Sequence, residues 1–280
     1  MNPICILTDN AAQFPNPVFP GREFVHFFNL PQTNIGKTDK NNPVVNSTLD
    51  HFSKSGNKPP NKTNPTQDTF DQILPVLNSK YDEIIILTAS SFLNPYFSVM
   101  EKTAQHFNGR ARLYLIDTQT ISTGQGFLVE QAARAVHAGV SASNLERELR
   151  KSIPMIFNIL CTPSLNYLFQ TGIVDQPQAV VSEFYNLYPI FVLEDGKFTP
   201  ISKVRNYHTA LESFQEFLEE FDNLTHISFL HGGLVPPAEI RYMKQFCDDS
   251  FPDTPFSEHQ LNPYLTTLFG SGFMGMFLSE

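Results

Sequence analysis

The 280-residue chain has no tryptophan and only three cysteines, and charged residues make up just 17% of it. Cys5, Cys161 and Cys247 are odd in number and far apart, which argues against a disulfide framework and for free thiols in a reducing cytoplasm. Basic residues are scarcer than acidic ones: 19 Lys and Arg stand against 28 Asp and Glu, a formal net charge of −9. Without a basic stripe there is nothing to neutralise a phosphate backbone, so a nucleic-acid partner is not expected. Long apolar runs are missing too, and nothing approaches the eighteen or so residues of a membrane span. The apolar run Ile4–Leu7 has no positive flank, so it reads as a strand and not as a signal peptide. No internal repeat or low-complexity tract is present.

What the chain does have is length for two domains and a large core. Hydrophobic residues make up 41% of it, including 26 phenylalanines. These flat rings serve either as core filling or as the lining of an apolar ligand cavity.

Short apolar runs at 4–7, 83–88 and 112–117 read as buried strands. Helices predicted over 65–78, 95–107 and 124–138 follow the first, second and third of them, the last stopping at Gly139. This alternation predicts a parallel sheet covered on both faces. A polar helix, SASNLERELRKSI, then leads to Pro154. Beyond it the pattern changes, with strands at 156–161, 190–193, 226–230 and 273–278 and helices at 178–185, 207–221 and 237–247. Asp195 and Gly196 between two apolar runs signal a hairpin. The fold class is therefore α/β, with two domains: a parallel-sheet domain over 1–153 and a mixed-sheet domain over 154–280. The passage 31–66, rich in Asn, Pro, Lys, Thr and Ser, reads as mostly loop, with one short helix near 48–53.

Several tempting motifs carry little. GSGFMG at 270–275 satisfies G-x-G-x-x-G, but only five residues follow Gly275, too few for the helix and the acidic residue about twenty positions later that the fingerprint needs, so it does not read as a dinucleotide site. Its glycines read as places where backbone approaches another group. His226 and His231, five apart on one strand, face opposite sides, so no metal is expected. No cofactor is implied. Asp9 and Asp117 end strands, where carboxylates act as acids or bases or simply cap loops.

A repeated grammar is more informative. Asn64-Pro65 with Gln67, and Asn94-Pro95, both read as helix starts. Thr63 stands before the first, Ser90 and Ser91 before the second. Both follow loops on the carboxyl-end side of the sheet, where open α/β sheets bind ligands. Two helix amino termini with hydroxyls facing one crevice suit a small anion. If the phenylalanines line a tunnel from it, the ligand is a carboxylate with an apolar tail. At about 0.8 kcal/mol per methylene, a tail of roughly fourteen carbons contributes on the order of 10 kcal/mol gross. Each dipole contact adds about 1 kcal/mol, so the tail supplies affinity and the hydroxyls orient the head.

The motifs, taken in order, resemble the DegV family of bacterial fatty-acid-binding proteins across essentially the whole chain. ILTDNAAQF resembles V-T-D-S-x-A-D-L, and KTNPTQDTF resembles T-S-Q-P-S-x-x-x-F. ASSFLNPYFSV resembles S-S-x-L-S-G-T-Y, LIDTQTISTGQG resembles I-D-S-x-x-x-S-x-G-x-G, and YPIFVLEDGKFTPISKVR resembles K-P-I-L-x-x-x-x-G-K-I-x-P-x-x-K-V-R. The resemblance implies a long-chain fatty acid buried between two α/β domains, with its carboxylate on Thr63 and Ser91. Lys62, Asn64 and Ser90 flank these, with Asp9 and Leu268 near the head group. It further implies a carrier and no catalysis of its own, presenting the fatty acid to a fatty-acid kinase for phospholipid synthesis. Three positions depart from the pattern: Lys62 replaces a threonine, Leu268 a histidine and Ile173 an arginine. The alternatives are a serine-dependent lipid hydrolase or acyltransferase using Ser91, and a carrier of a different apolar acid.

Overall fold

The computed structural model describes residues 3–30, 70–94 and 96–280. The first sheet contains β1 (Ile4–Asp9), β2 (Val25–Phe28), β3 (Glu83–Thr88) and β4 (Arg112–Asp117), all parallel, in the order β2-β1-β3-β4. Around it lie α1 (Phe70–Lys80), α2 (Phe97–Gln105), α3 (Ser122–His137) and α4 (Ala142–Ser152). Apolar residues fill ICILTD and EIIILT at almost every position because both faces are covered. Side-chain alternation then deals them to two layers. Ile6, Ile85 and Leu87 pack with Leu128, Val129 and Leu149 of α3 and α4. Cys5, Leu7, Ile84 and Ile86 pack with Leu74 and Leu77 of α1 and Met100 of α2.

The second sheet is mixed. Its strands β5 (Ile156–Cys161), β6 (Tyr188–Glu194), β7 (Lys197–Val204), β8 (His226–His231), β9 (Phe256–Gln260) and β10 (Met274–Ser279) run in the order β7-β6-β5-β10-β8-β9. Only the β8–β9 pair is parallel. Helices α5 (Asn166–Gln170), α6 (Gln176–Phe184), α7 (Tyr207–Leu218), α8 (Pro237–Ser250) and α9 (Pro263–Phe269) complete it. One face lies under α7 and α8, where Phe214 and Met243 pack on Ile227, Phe229 and Met276. The other face carries Leu160, Leu230 and Phe277, and these belong to the same buried layer as Leu7 and Ile86. The two sheets therefore share one apolar layer, and six phenylalanines (28, 70, 191, 269, 273 and 277) lie in it.

The hairpin forms as expected. Asp195 (φ 50°) and Gly196 (φ 78°) make a two-residue turn between β6 and β7, both in the left-handed region that such turns demand. Its tip reaches the first sheet, where Ser90 Oγ donates to the Gly196 carbonyl at 2.5 Å. The three cysteines are buried and free, and burial pushes each thiol up to about 12. At GSGFMG, Gly270 has φ 82° and a Cβ there would fall 2.5 Å from the Tyr167 ring, which is the close approach expected of it. Gly270 and Gly272 precede β10, Gly275 lies within it, and none opens a helix, so the dinucleotide reading fails on structure as well.

Some elements differ from expectation. The strand β2 and the short elements α5, β9 and α9 are additional. VHFF is too brief to show a period, and FSEHQ is a polar edge strand with β8 as its single neighbour. The expected helix over 95–107 begins at Phe97 with Tyr96 as N-cap. Asn94 does not cap it. Its Oδ1 accepts from Tyr96 N at 3.0 Å, a local turn that uses up the side chain before the helix starts. The helix expected over 65–78 is seen as Phe70–Lys80, and its proposed start at Asn64-Pro65, like the helix near 48–53, lies outside the described residues.

Substituting Gly196→Ala places a Cβ 2.7 Å from Ser90 Oγ in a left-handed conformation. We expect a loss of about 1–2 kcal/mol in urea unfolding, with a similar loss for Ser90→Ala, which leaves the Gly196 carbonyl without that donor.

Candidate functional site

At the carboxyl ends of β1, β3 and β4 three loops meet. The β1 loop is held by Asp9, which is fully buried with no cation against it among the described residues. Its Oδ1 accepts from Ala11 N at 3.0 Å and Gln125 Nε2 at 3.1 Å, and its Oδ2 accepts from Ala89 N at 2.8 Å. Burial raises the carboxyl pKa to about 6, against the pull of these three donors. One side chain thus ties the exits of β1 and β3 to the first turn of α3. Gln125 also donates to Thr8 Oγ1 at 3.0 Å, which fixes its amide across the end of the sheet.

The β3 loop contains the two expected serines, and they have opposite fates. Ser90 is fully buried. Its N–H donates to Thr120 O at 2.8 Å, its hydroxyl donates to Gly196 O, and that same oxygen accepts from Phe92 N at 3.2 Å. Its proton is committed to the hairpin, so Ser90 joins the domains where a head-group contact was expected. Ser91 is exposed, and its hydroxyl has no partner among the described residues. Phe92, Tyr96 and Val99 leave apolar surface exposed in the same segment.

The third loop follows β4. Asp117 accepts from Ser91 N at 3.2 Å through both carboxylate oxygens, and from Gln119 N at 2.8 Å through Oδ1. This alters the anion argument. The Ser91 N–H, expected to face a ligand, is already bound to a carboxylate. What this loop offers a ligand is the Ser91 side-chain O–H.

Of the other expected residues, Leu268 is buried on α9 in the apolar layer beside Phe269. Ile173, partly buried, packs against that layer. Thr63, Lys62 and Asn64 lie outside the described residues. No histidine or carboxylate is bonded to the Ser91 hydroxyl among the described residues. Among them, too, there is no cluster of three or more His, Cys, Asp or Glu suited to a metal, and no helix is long and apolar enough to cross a membrane. His226 and His231 do face opposite sides of β8. His226 accompanies Phe127 and Ser257, whereas His231 meets Glu258.

Sequence reasoning did not pick out α9. Its start carried a signal: Asn262-Pro263 is the same pair as Asn94-Pro95, and here Asn262 Oδ1 does cap, accepting from Leu265 N at 2.9 Å. Asn262 Nδ2 donates to Asn10 O at 3.0 Å, so α9 of the second sheet is tied to the β1 loop of the first.

A four-stranded parallel sheet and a six-stranded mixed sheet, joined over a shared apolar layer, define a two-domain α/β protein. The family model described as the DegV family of uncharacterised proteins matches residues 4–280, and the chain belongs to that family. A DegV domain-containing protein of Caldanaerobacter subterraneus, TTE1491, is 27% identical over 222 residues, 78% of each chain. Among solved structures, the fatty acid binding DegV family protein SAG1342 from Streptococcus agalactiae superposes with a TM-score of 0.78 at 17% identity, covering 100% of this chain and 99% of that one. The Streptococcus pneumoniae Fatty Acid Kinase (Fak) B3 protein, loaded with linoleic acid, gives 0.74 at 12% identity, covering 99% of each. At these identities the superpositions establish the fold.

Asp9 makes the stability of the ligand-free protein depend on pH. Because its folded-state pKa is raised above the ordinary 3.8, its contribution is fullest below about pH 4 and is lost as pH rises through 6. The loss is on the order of 3 kcal/mol. Urea unfolding at a series of pH values should show this decline in the wild type and its absence in Asp9→Asn.

Proposed function

We propose that the protein binds a long-chain fatty acid between its two domains, with 1–153 holding the head group and 154–280 covering the tail. The observation that carries this reading is the placement of Ser91: an exposed, unpartnered hydroxyl at the carboxyl edge of the first sheet, next to a Phe-rich apolar layer shared by both sheets. Membership of the DegV family, and the fatty-acid-binding descriptions of its solved relatives, support it. In this reading Ser91 and Thr63 hold the carboxylate, with Lys62 and Asn64 beside them and Asp9 shaping the floor. Asp9 and Asp117 already place two carboxyl groups at this edge, so a further carboxylate here needs a compensating charge. Lys62 is the residue of the expected set able to supply it.

The protein acts as a carrier in this proposal and performs no chemistry on its ligand. Among the described residues, none is bonded to the Ser91 hydroxyl as the base that a serine nucleophile requires. Presentation of the acid to a fatty-acid kinase is the finer reading, supported by the likeness to the Fak B3 protein. Leu268 and Ile173 stand where the family resemblance implies a histidine and an arginine.

Mass spectrometry of the purified protein should find a stoichiometric fatty acid, and a purely polar ligand would sink the proposal. Ser91→Ala should weaken fatty-acid binding by about tenfold or more, the worth of a hydrogen bond to a charged group. Lys62→Gln should do the same and make binding less dependent on salt. Neither the wild type nor Ser91→Ala should hydrolyse a fatty-acyl ester; turnover lost on substitution would favour the hydrolase.

A further inference from the structure

Thr88 and Tyr264 carry two further hydroxyls in this region with no hydrogen bond to another described residue; both residues are nine-tenths or more buried, and the Thr88 oxygen is itself fully buried and unpaired. Thr88, fully buried, is the last residue of β3, and its Oγ1 is unpaired. Alternation along β3 puts it on the same face as Ile84 and Ile86, toward the apolar layer. It directly precedes Ala89, whose N–H holds Asp9, and the Ser90–Ser91 pair. Thr120, Thr123 and Gln125 also have unpaired oxygens, but they belong to the start of α3 and the loop before it.

Tyr264 is 9% exposed and lies in the first turn of α9, inside the shared apolar layer. The Asn262–Asn10 bond anchors that turn beside the exit of β1. Burial, reinforced by the neighbouring Asp9 and Tyr96, raises its phenol pKa. The phenol stays protonated at neutral pH and remains a donor. Leu268, one turn further along the same helix face, supplies no donor.

A buried hydroxyl without a partner is destabilising, and such groups are normally satisfied. Here the nearby backbone donors are already taken: Ala89 N–H by Asp9 and Ser91 N–H by Asp117. What remains to offer an incoming carboxyl group is side-chain O–H: Thr88 at the end of β3, Ser91 in the loop after it and Tyr264 on α9.

Resting on the fatty-acid reading above, we propose that Tyr264 and Thr88 are head-group ligands, donating their O–H groups to the carboxyl oxygens of the bound acid beside Ser91. The second domain would then recognise the head group as well as cover the tail, and selectivity for a free acid over its ester would depend on α9.

The test compares a fatty acid with its methyl ester, which has the same tail, by competition against a fluorescent fatty acid. Wild type, Tyr264→Phe and Thr88→Val are measured, with the unfolding midpoint of each lipid-free protein as a control. Each substitution should weaken the acid about tenfold or more, leave the ester nearly unchanged, and so shrink the acid-over-ester preference. The midpoints should not fall. Unchanged acid affinity, or equal losses for acid and ester, would overturn the assignment. A wild type that binds neither compound would sink the fatty-acid reading itself, and this inference with it. If one variant fails to fold, the other decides the outcome alone.

Discussion

Burying an ionisable carboxyl is among the costlier arrangements a protein can adopt, and the carboxyl edge of the first sheet is organised around one that has no cation beside it among the described residues. Asp9 is tolerated because three N–H donors converge on it, from Ala11, Ala89 and Gln125. Those donors belong to three separate segments. Satisfying one side chain therefore determines how the β1 loop, the β3 loop and the start of α3 stand relative to each other. The Ser90–Ser91 pair follows at once from this, because it continues directly from Ala89. With Ala89 held from below, Ser90 turns inward and Ser91 outward.

The shared apolar layer is the second organising fact. Each sheet has one face closed by its own helices and one face closed by this layer, together with α1 and α2 on the first sheet. Neither sheet buries that face fully without the other. The phenylalanine excess finds its place here, in rings such as Phe269 and Phe273, which stack at 4.4 Å between centroids. The sequence offered two uses for these rings, core and cavity lining. The structure shows the first use, and the proposed function gives the second to the same residues.

Much of the fold was legible because buried parallel strands read as unbroken apolar runs, as at Ile84–Leu87, and because Asp195-Gly196 can satisfy a two-residue hairpin where most residue pairs cannot. The site was legible only in part. The Asn-Pro pair illustrates why: at 262–263 it caps a helix, while at 94–95 the asparagine closes a local turn and the helix starts later. The local chemistry is identical, and tertiary surroundings choose between two uses of it. Ser90 and Ser91 make the same point more sharply. They are adjacent and of one residue type, yet only a contact 106 positions away, at Gly196, separates a structural serine from a candidate ligand. The Asp117 bond to Ser91 N–H was likewise out of reach, since it joins two strand ends that no local pattern relates.

The Ser90–Gly196 bond also makes the two domains answerable to each other. The hairpin tip of the second sheet rests on the loop that presents Ser91, so the sheets cannot part without stripping Ser90 of its acceptor and releasing that loop. In the proposed fatty-acid carrier, opening the molecule and loosening the hold on a head group become a single cooperative event. Such a carrier needs no separate trigger to let go of its cargo: whatever separates the halves also dismantles the hold.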